Sequence, residues 1–490
     1  MSAAPKTLAA RDRAVVMILL IATFVVILNE TIMNVAIPVL MKDLRVGAGS
    51  AQWLSTAFML TMAVVIPVTG FLLQRLATRT VFLLAMGLFS AGTLLAALAP
   101  GFVPLLLARV VQASGTAIML PLLMTTVLTV VPERSRGAVM GNISIVISVA
   151  PAIGPTISGV ILQVLSWRFM FLFVLPIALA ALAYGARMLG NVGERRNSPL
   201  DLISIPLSAL GFGGFVYALN QASGPGGFGS SGVLWPLGVA VVALAAFVWR
   251  QRVLIRRDAP LLDLRAFAFP QFTLGVGLMV IAMMALFGGA ILLPLYLQGV
   301  RGLSTLQTGL LLLPGGLVMG LLAPTVGRWY DRIGPRPLTL PGTVLMAGVL
   351  WGLGHLTAAT PVWALIALHV VLSVGLALLF TPVFTSSLGP LPPQLYSHGS
   401  AILSTLQQVA GAAGTALLVT LYAARSAALA GGGAAPLLAQ QSGIQLAFTV
   451  SAWIAALAVP LALGLKKTPQ AGPGHAGPPA PETTAPQPGD

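Results

Sequence analysis

The sequence predicts an all-α integral membrane protein of fourteen transmembrane helices, and three observations predict it. Of 490 residues, 57% are hydrophobic and only 8% charged, about a third of the charged share usual for a soluble protein. The apolar residues gather into runs long enough to cross roughly 30 Å of hydrocarbon, which takes about 20 helical residues. The 26 Lys and Arg residues punctuate those runs and do not cover one solvated face, so the net charge of +15 reads as membrane topology rather than nucleic-acid binding.

The runs fall at 14–37, 52–73, 79–98, 104–130, 138–163, 167–189, 201–220, 233–250, 271–297, 305–328, 338–357, 361–387, 399–424 and 444–465. The first runs longer than a signal-peptide core and lacks a small-residue cleavage site, so it reads as an uncleaved span. With the N-terminus inside, the loops expected outside hold five basic residues, Lys42, Arg45, Arg168, Arg301 and Arg425, while the N-terminus, the other loops and the tail hold twenty. An error of one span would scramble that alternation. The bias therefore places both termini in the cytoplasm and the chain in the cytoplasmic membrane.

Zero cysteines exclude a disulfide framework, a thiolate nucleophile and cysteine metal sites. The four histidines show no metal-ligand spacing, and no glycine-rich phosphate loop follows a strand pattern. Neither metal nor cofactor is expected, and ATP is not the expected energy source.

Two loops look alike: Gly70 to Arg79 after span 2 and Gly327 to Arg336 after span 10. Gly70 and Gly327, Arg75 and Arg332, and Arg79 and Arg336 are each 257 residues apart, as are the starts of spans 1 and 9. This offset predicts an N-terminal six-helix bundle at 1–190, two inserted helices with an interfacial linker at 191–268, a C-terminal six-helix bundle at 269–465, and a disordered cytoplasmic tail at 466–490. Parallel halves with a substrate site at their interface are a transporter architecture.

A charge in mid-membrane is costly and marks function by default. Among eleven acidic residues only Glu30 lies within a span, and Arg109 is the matching cation. Arg109 lies about 9 Å below the outer surface and Glu30 about 24 Å above the inner one, so the two share a level. Asn34 is one turn from Glu30, and Gln112 one turn from Arg109. The pair is read as proton-coupling, against the alternative of a structural tether. His355 and His369, without a visible partner, read as packed or lipid-edge side chains. Span 5 carries Pro151, Gly154, Pro155 and Gly159, with Ala150, Gly154 and Ser158 forming a stripe of small residues, and so predicts a tightly packed hinge.

These residues resemble the fourteen-spanner drug/proton antiporters of the major facilitator superfamily, over nearly the whole chain up to the tail. Leu28-Asn-Glu-Thr-Ile-Met-Asn-Val-Ala-Ile-Pro38 is similar to that family's span 1 signature, and Leu107-Ala-Arg-Val-Val-Gln-Ala-Ser-Gly115 to its span 4 motif, whose Arg is implicated in proton coupling. The Gly154-Pro155 stretch resembles the antiporter motif, and the loop at Asp331 and Arg332 the superfamily's gating loop. Two positions depart from the pattern. Asn29 stands where the family has Asp, with the acid moved to Glu30, about 100° around the helix. Gln74 and Ala77 replace the Asp and Gly of the first gating loop, which weakens a charge-based gate there.

The resemblance implies the major facilitator fold and a proton-coupled exporter of lipophilic drugs working by alternating access. Its substrate would meet Asn29, Met33, Asn34, Gln112 and Gln407 between the halves, and Gly70, Arg75, Arg79, Gly327, Asp331, Arg332 and Arg336 would form the gating loops. Its partners would be the small-molecule substrate, protons and lipid. A monomer is expected, with accessory export proteins as potential companions. A proton symporter importing a small solute on the same fold is the nearest alternative, but the polar layer is sparse for one. A membrane-embedded enzyme would need a convergent His/Asp or Ser/His set that the sequence lacks.

Overall fold

The computed structural model describes residues 10–191, 201–222, 227–257 and 259–467. Most of the expected tail, the start of the inserted segment and part of the glycine-rich loop at 224–232 lie outside the described residues. The first six spans are α1 Ala10–Asp43, α2 Ala48–Arg75, α3 Thr78–Ala97, α4 Phe102–Val130, α5 Arg136–Val164 and α6 Arg168–Met188. Three shorter or intermediate elements follow, α7 Ser204–Ser208, α8 Gly214–Ala222 and α9 Ser231–Ile255. The last six spans are α10 Pro270–Leu295, α11 Thr305–Ile333, α12 Arg336–Leu353, α13 Val362–Leu388, α14 Tyr396–Gly431, and α15 Pro436–Ala456 with α16 Ala458–Gly464.

Twelve of these helices are long and apolar enough to cross a membrane. The other two expected spans are helical but irregular. Residues 204–222 are interrupted by a π-helical turn at Ala209–Gly213, and Arg336–Leu353 is a short helix with Pro341 inside it. Several helices run past their expected ends, because the polar residues that flank an apolar run continue the backbone hydrogen bonding. The ends themselves are written locally. Ser304 and Gln307 form a reciprocal capping box that starts α11, and Gly334, at φ +83°, ends it.

Helices α1 to α6 pack among themselves, chiefly α3 on α4, α1 on α5 and α2 on α4, and α10 to α16 do likewise. The most extensive contact of all crosses between the two groups, where α5 meets α11. Glycine makes it possible. A Cβ at Gly141 would lie 2.6 Å from the Ala323 carbonyl oxygen, and one at Gly137 2.6 Å from that of Gly327. These approaches lie at the end of the bundle that carries the α2–α3, α4–α5 and α11–α12 loops, the arginine-rich end.

At the opposite end α8 is wedged between α2 and α14. Thr56 donates to Asn220 Oδ1 at 3.1 Å, the Trp53 and Tyr217 rings are 6.0 Å apart, and Thr420 donates to the Ala222 carbonyl at 2.9 Å. Ala63, Val216, Leu219, Ala412 and Ala416 fill the space between.

The stretch expected to lie at the interface after α9 is tied down by one buried side chain. Gln251, 0% exposed, donates to Ser204 Oγ at 2.7 Å and accepts from the Leu261 and Leu262 amides at 2.9 and 3.2 Å. Asp201 joins the same knot, accepting from the Ser204 amide at 3.0 Å and from Arg250 Nε at 2.6 Å. Gln251→Leu leaves the Leu261 and Leu262 amides unpaired, each costing about 1–3 kcal/mol, while the Ser204 hydroxyl keeps its bond to Asp201. We expect a lowered melting temperature in detergent and faster tryptic cleavage at Arg256 and Arg257; an unchanged digestion pattern would show that the linker is held by other contacts.

Candidate functional site

The polar centre of the first helix group is built on close approach of α3 and α4. A Cβ at Gly92 would lie 2.5 Å from the Gln112 amide nitrogen, so only glycine lets these backbones meet. That approach brings Thr93 to Gln112. Gln112 Nε2 donates to Thr93 Oγ1 at 2.7 Å, and the Thr93 hydroxyl passes on to the Phe89 carbonyl at 2.7 Å. Gln112 is thereby oriented with its Oε1 toward Arg109.

Arg109 is 1% exposed. Its Nη1 donates to Gln112 Oε1 and, at 3.3 Å, to Asn29 Oδ1 from α1. The Phe58 ring of α2 lies 4.1 Å from Cζ, within cation–π range. Nε has no hydrogen-bond partner. Its hydrogen bonds are therefore to neutral groups only, with capacity to spare, and Glu30 acts on it through the electrostatic field without direct contact.

Glu30 is half-buried, one residue on from Asn29 and about 100° around α1. Among the described residues it makes no hydrogen bond and no ion pair within 4.0 Å. The shared level read from the sequence does not become a direct Glu30–Arg109 bridge in this conformer. Asn29, at the position where the resembling family carries its acid, takes that contact. Of the other expected substrate residues, Met33 is buried, and the Asn34 side chain lies outside the described residues. Gln407 on α14 is 7% exposed with its Nε2 unpartnered. Its neighbour Gln408 reaches Met62 Sδ of α2 at 3.2 Å.

The small-residue stripe of α5 faces two partners. Thr31 of α1 abuts Gly154, where a Cβ would press on its hydroxyl, and donates to the Ala150 carbonyl at 3.4 Å. Ser158 donates to Met170 Sδ of α6 at 3.2 Å. Gly159 faces open space, and Pro151 is exposed. Gly154 is thus the point of closest approach, one residue along α1 from Glu30.

The two gating loops each cross between the helix groups. Asp331 caps the N-terminus of α5 by accepting from the Gly137 amide at 2.9 Å and the Ala138 amide at 3.0 Å, where the helix dipole favours a carboxylate. In the first loop Gln74 donates to the Gln394 carbonyl at 2.9 Å, so the amide still spans the two groups but carries no charge. Gly70 lies against Ala401, with a Cβ-to-Cβ distance of 3.2 Å were one present. Gly327 is buried against Gly137, while Arg75, Arg79, Arg332 and Arg336 are exposed.

Sequence reasoning missed Thr93, Phe58, Gln394 and the facing glycines. Gly137 and Gly141 stand four apart, a small-xxx-small pattern that was legible. Nothing in the sequence marks Thr93 or Phe58, whose roles depend on which helices become neighbours. Gly154→Leu inserts a bulky group against Thr31, an overpacking cost of about 1–3 kcal/mol or more. We expect the variant to reach the membrane but to lose transport; wild-type transport would reduce this contact to ordinary helix packing.

Residues 19–415 match the sequence profile of the Major Facilitator Superfamily. The chain is 42% identical over 405 residues to the lincomycin resistance protein LmrB of Listeria monocytogenes, covering 83% of this chain and 85% of that one. It is 41% identical over 407 residues to LmrB of Bacillus subtilis, at 83% and 84% coverage. Among solved structures, the human organic anion transporter MFSD10 superposes with a TM-score of 0.66 at 16% identity, over 92% of this chain and 99% of that one. The proton:xylose symporter XylE superposes at 0.63 and 15% identity, over 92% and 95%. With the profile spanning most of its helices and the relatives aligned over most of their length, the chain belongs to the major facilitator superfamily and is a multi-pass membrane transporter.

Proposed function

We propose that the protein exports lipophilic drugs from the cytoplasm in exchange for protons, by alternating access of two six-helix halves in the cytoplasmic membrane, with both termini inside. The observation that carries this reading is the environment of Arg109: a guanidinium buried in the membrane, held by the neutral oxygens of Asn29 and Gln112, beside an unpaired carboxyl at Glu30. The resistance to lincomycin in the names of two relatives supports drug as cargo.

On this reading Glu30 carries the proton. When Glu30 is ionised it draws Arg109 away from its amides, and when protonated it lets Arg109 settle on Asn29 and Gln112, the arrangement seen here. Each protonation state then favours a different shape of the α1–α4 contact, which is the condition for coupling. The same conformer is latched at the arginine-rich end by Asp331 on α5 and Gln74 on Gln394. With that end in the cytoplasm, the path is closed inward. Gln407, with a free donor, and Met33 are left to meet cargo, while Asn29 and Gln112 serve Arg109.

Drug accumulation in cells with and without the protein, with and without a protonophore, tests the reading; export that survives the protonophore would overturn proton coupling. Arg109→Ala removes the cation that an ionised Glu30 would draw on and empties its place between Asn29, Gln112 and Phe58, and should abolish most export at normal expression. Arg109→Lys, lacking the planar fork, should recover part of it at most. Glu30→Gln should retain drug binding but lose proton-driven accumulation. Asp331→Asn, which weakens the charged cap on α5 by about 1 kcal/mol, should lengthen the distance between spin labels at the exposed positions Thr80→Cys and Ile333→Cys without abolishing export.

A further inference from the structure

A second titratable group lies inside the membrane among the later helices, and it is seated against a proline-glycine step within a helix. The α11 sequence Pro314-Gly315-Gly316 breaks regular helix chemistry, since Pro314 has no amide to give to Leu310 and two glycines follow. His369 of α13 packs against this step. A Cβ at Gly315 would lie 2.6 Å from His369 Nε2, so the imidazole touches the α11 backbone where only glycine leaves room. Its Nε2 is 3.1 Å from the Leu312 carbonyl oxygen. A carbonyl only accepts, so Nε2 carries the hydrogen and, in the neutral ring, Nδ1 is a bare acceptor. Nδ1 is buried and has no partner.

The alternatives for such a group are narrower than they were in the sequence. His355 is exposed, with Nδ1 on the Trp351 carbonyl at 2.8 Å and its ring against Trp351. Asp201 is bound to Arg250 and Ser204 outside the helices. His369 alone of the three has an open proton-accepting atom in the interior.

We propose that His369 Nδ1 is a second proton-binding site of the transport cycle and that its occupancy sets the angle of α11 at this step, an inference that rests on the proton-coupled reading above. Protonation places a full positive charge behind the Nε2–H donor, strengthening its bond to the Leu312 carbonyl. The segment of α11 beyond the step runs about 24 Å to Asp331, the residue that caps α5. A firmer grip at Leu312 therefore acts on the inner latch. The charges facing His369 do not compete: α10 and residues 305–327 of α11 carry none, and α13 has no other ionisable group. Arg136 of α5, Arg328, Asp331 and Arg332 of α11, Arg336 of α12, and His398 and Arg425 of α14 all sit toward the ends of their helices.

The test reads the latch directly and needs no cargo. Because the chain has no cysteine, spin labels go only to Thr80→Cys and Ile333→Cys, both exposed on the arginine-rich end in different helix groups. Inter-label distances are measured in lipid nanodiscs from pH 5 to 9, with Asp331→Asn in every sample so that the latch carboxyl itself does not respond to pH. A shift between two distance populations should persist in Glu30→Gln and disappear in Glu30→Gln with His369→Gln, which keeps an amide donor for Leu312. Gly315→Ala, which lifts the ring from α11 and retains the histidine, should likewise remove the shift left in Glu30→Gln. Complete loss of the shift in Glu30→Gln alone, or its survival in the double variant, overturns the second site. A full wild-type shift in Glu30→Gln that His369→Gln abolishes would support the second site while counting against Glu30 as the carrier.

Discussion

Water is absent from the hydrocarbon core, so every charge placed there must find its partners inside the protein. Arg109 is where this constraint acts most strongly. Its burial forces α1, α2, α3 and α4 into one register: Asn29 from α1, Phe58 from α2, Thr93 from α3 and Gln112 from α4 meet at a single level. Glycines at 92 and 115 let α3 and α4 come close enough for that to happen. The stability of the first half and the chemistry of its centre are thus the same set of contacts.

The second constraint is how two groups of helices hold each other inside a membrane. Between lipid-covered helices there is little hydrophobic drive to associate, so close backbone contact and hydrogen bonds do the holding. The α5–α11 seam uses both, with glycine against carbonyl along the seam and one carboxylate on a helix N-terminus at its end. At the other end α8 bridges α2 and α14.

The departures from the family pattern acquire a physical sense in these contacts. Asn29 keeps the geometry of the acid it replaces without its charge, and the acid beside it at Glu30 is released from that contact. Gln74 likewise keeps a cross-group hydrogen bond without a charge. In both places the link becomes neutral and the charge remains elsewhere, at Glu30 and at Asp331.

Composition and spacing alone determined the class of this protein, the number and order of its spans, and the identity of its few embedded charges. These are local quantities: the length of an apolar run and the position of a lone Glu or Arg in it can be read without knowing any neighbour. Tight packing of α5 was legible in the same way, from the stripe through Gly154, because small side chains on one face are a property of one helix; that α1 is the partner was not. Only the tertiary structure decided that Arg109 bonds to Asn29 and not Glu30, that Thr93 and Phe58 complete its surroundings, and that His369 rests on the Pro-Gly-Gly step of α11. Each of those depends on the rotation of one helix about its axis relative to another. A turn of 100° separates adjacent residues on a helix, and that rotation is set by the whole bundle at once.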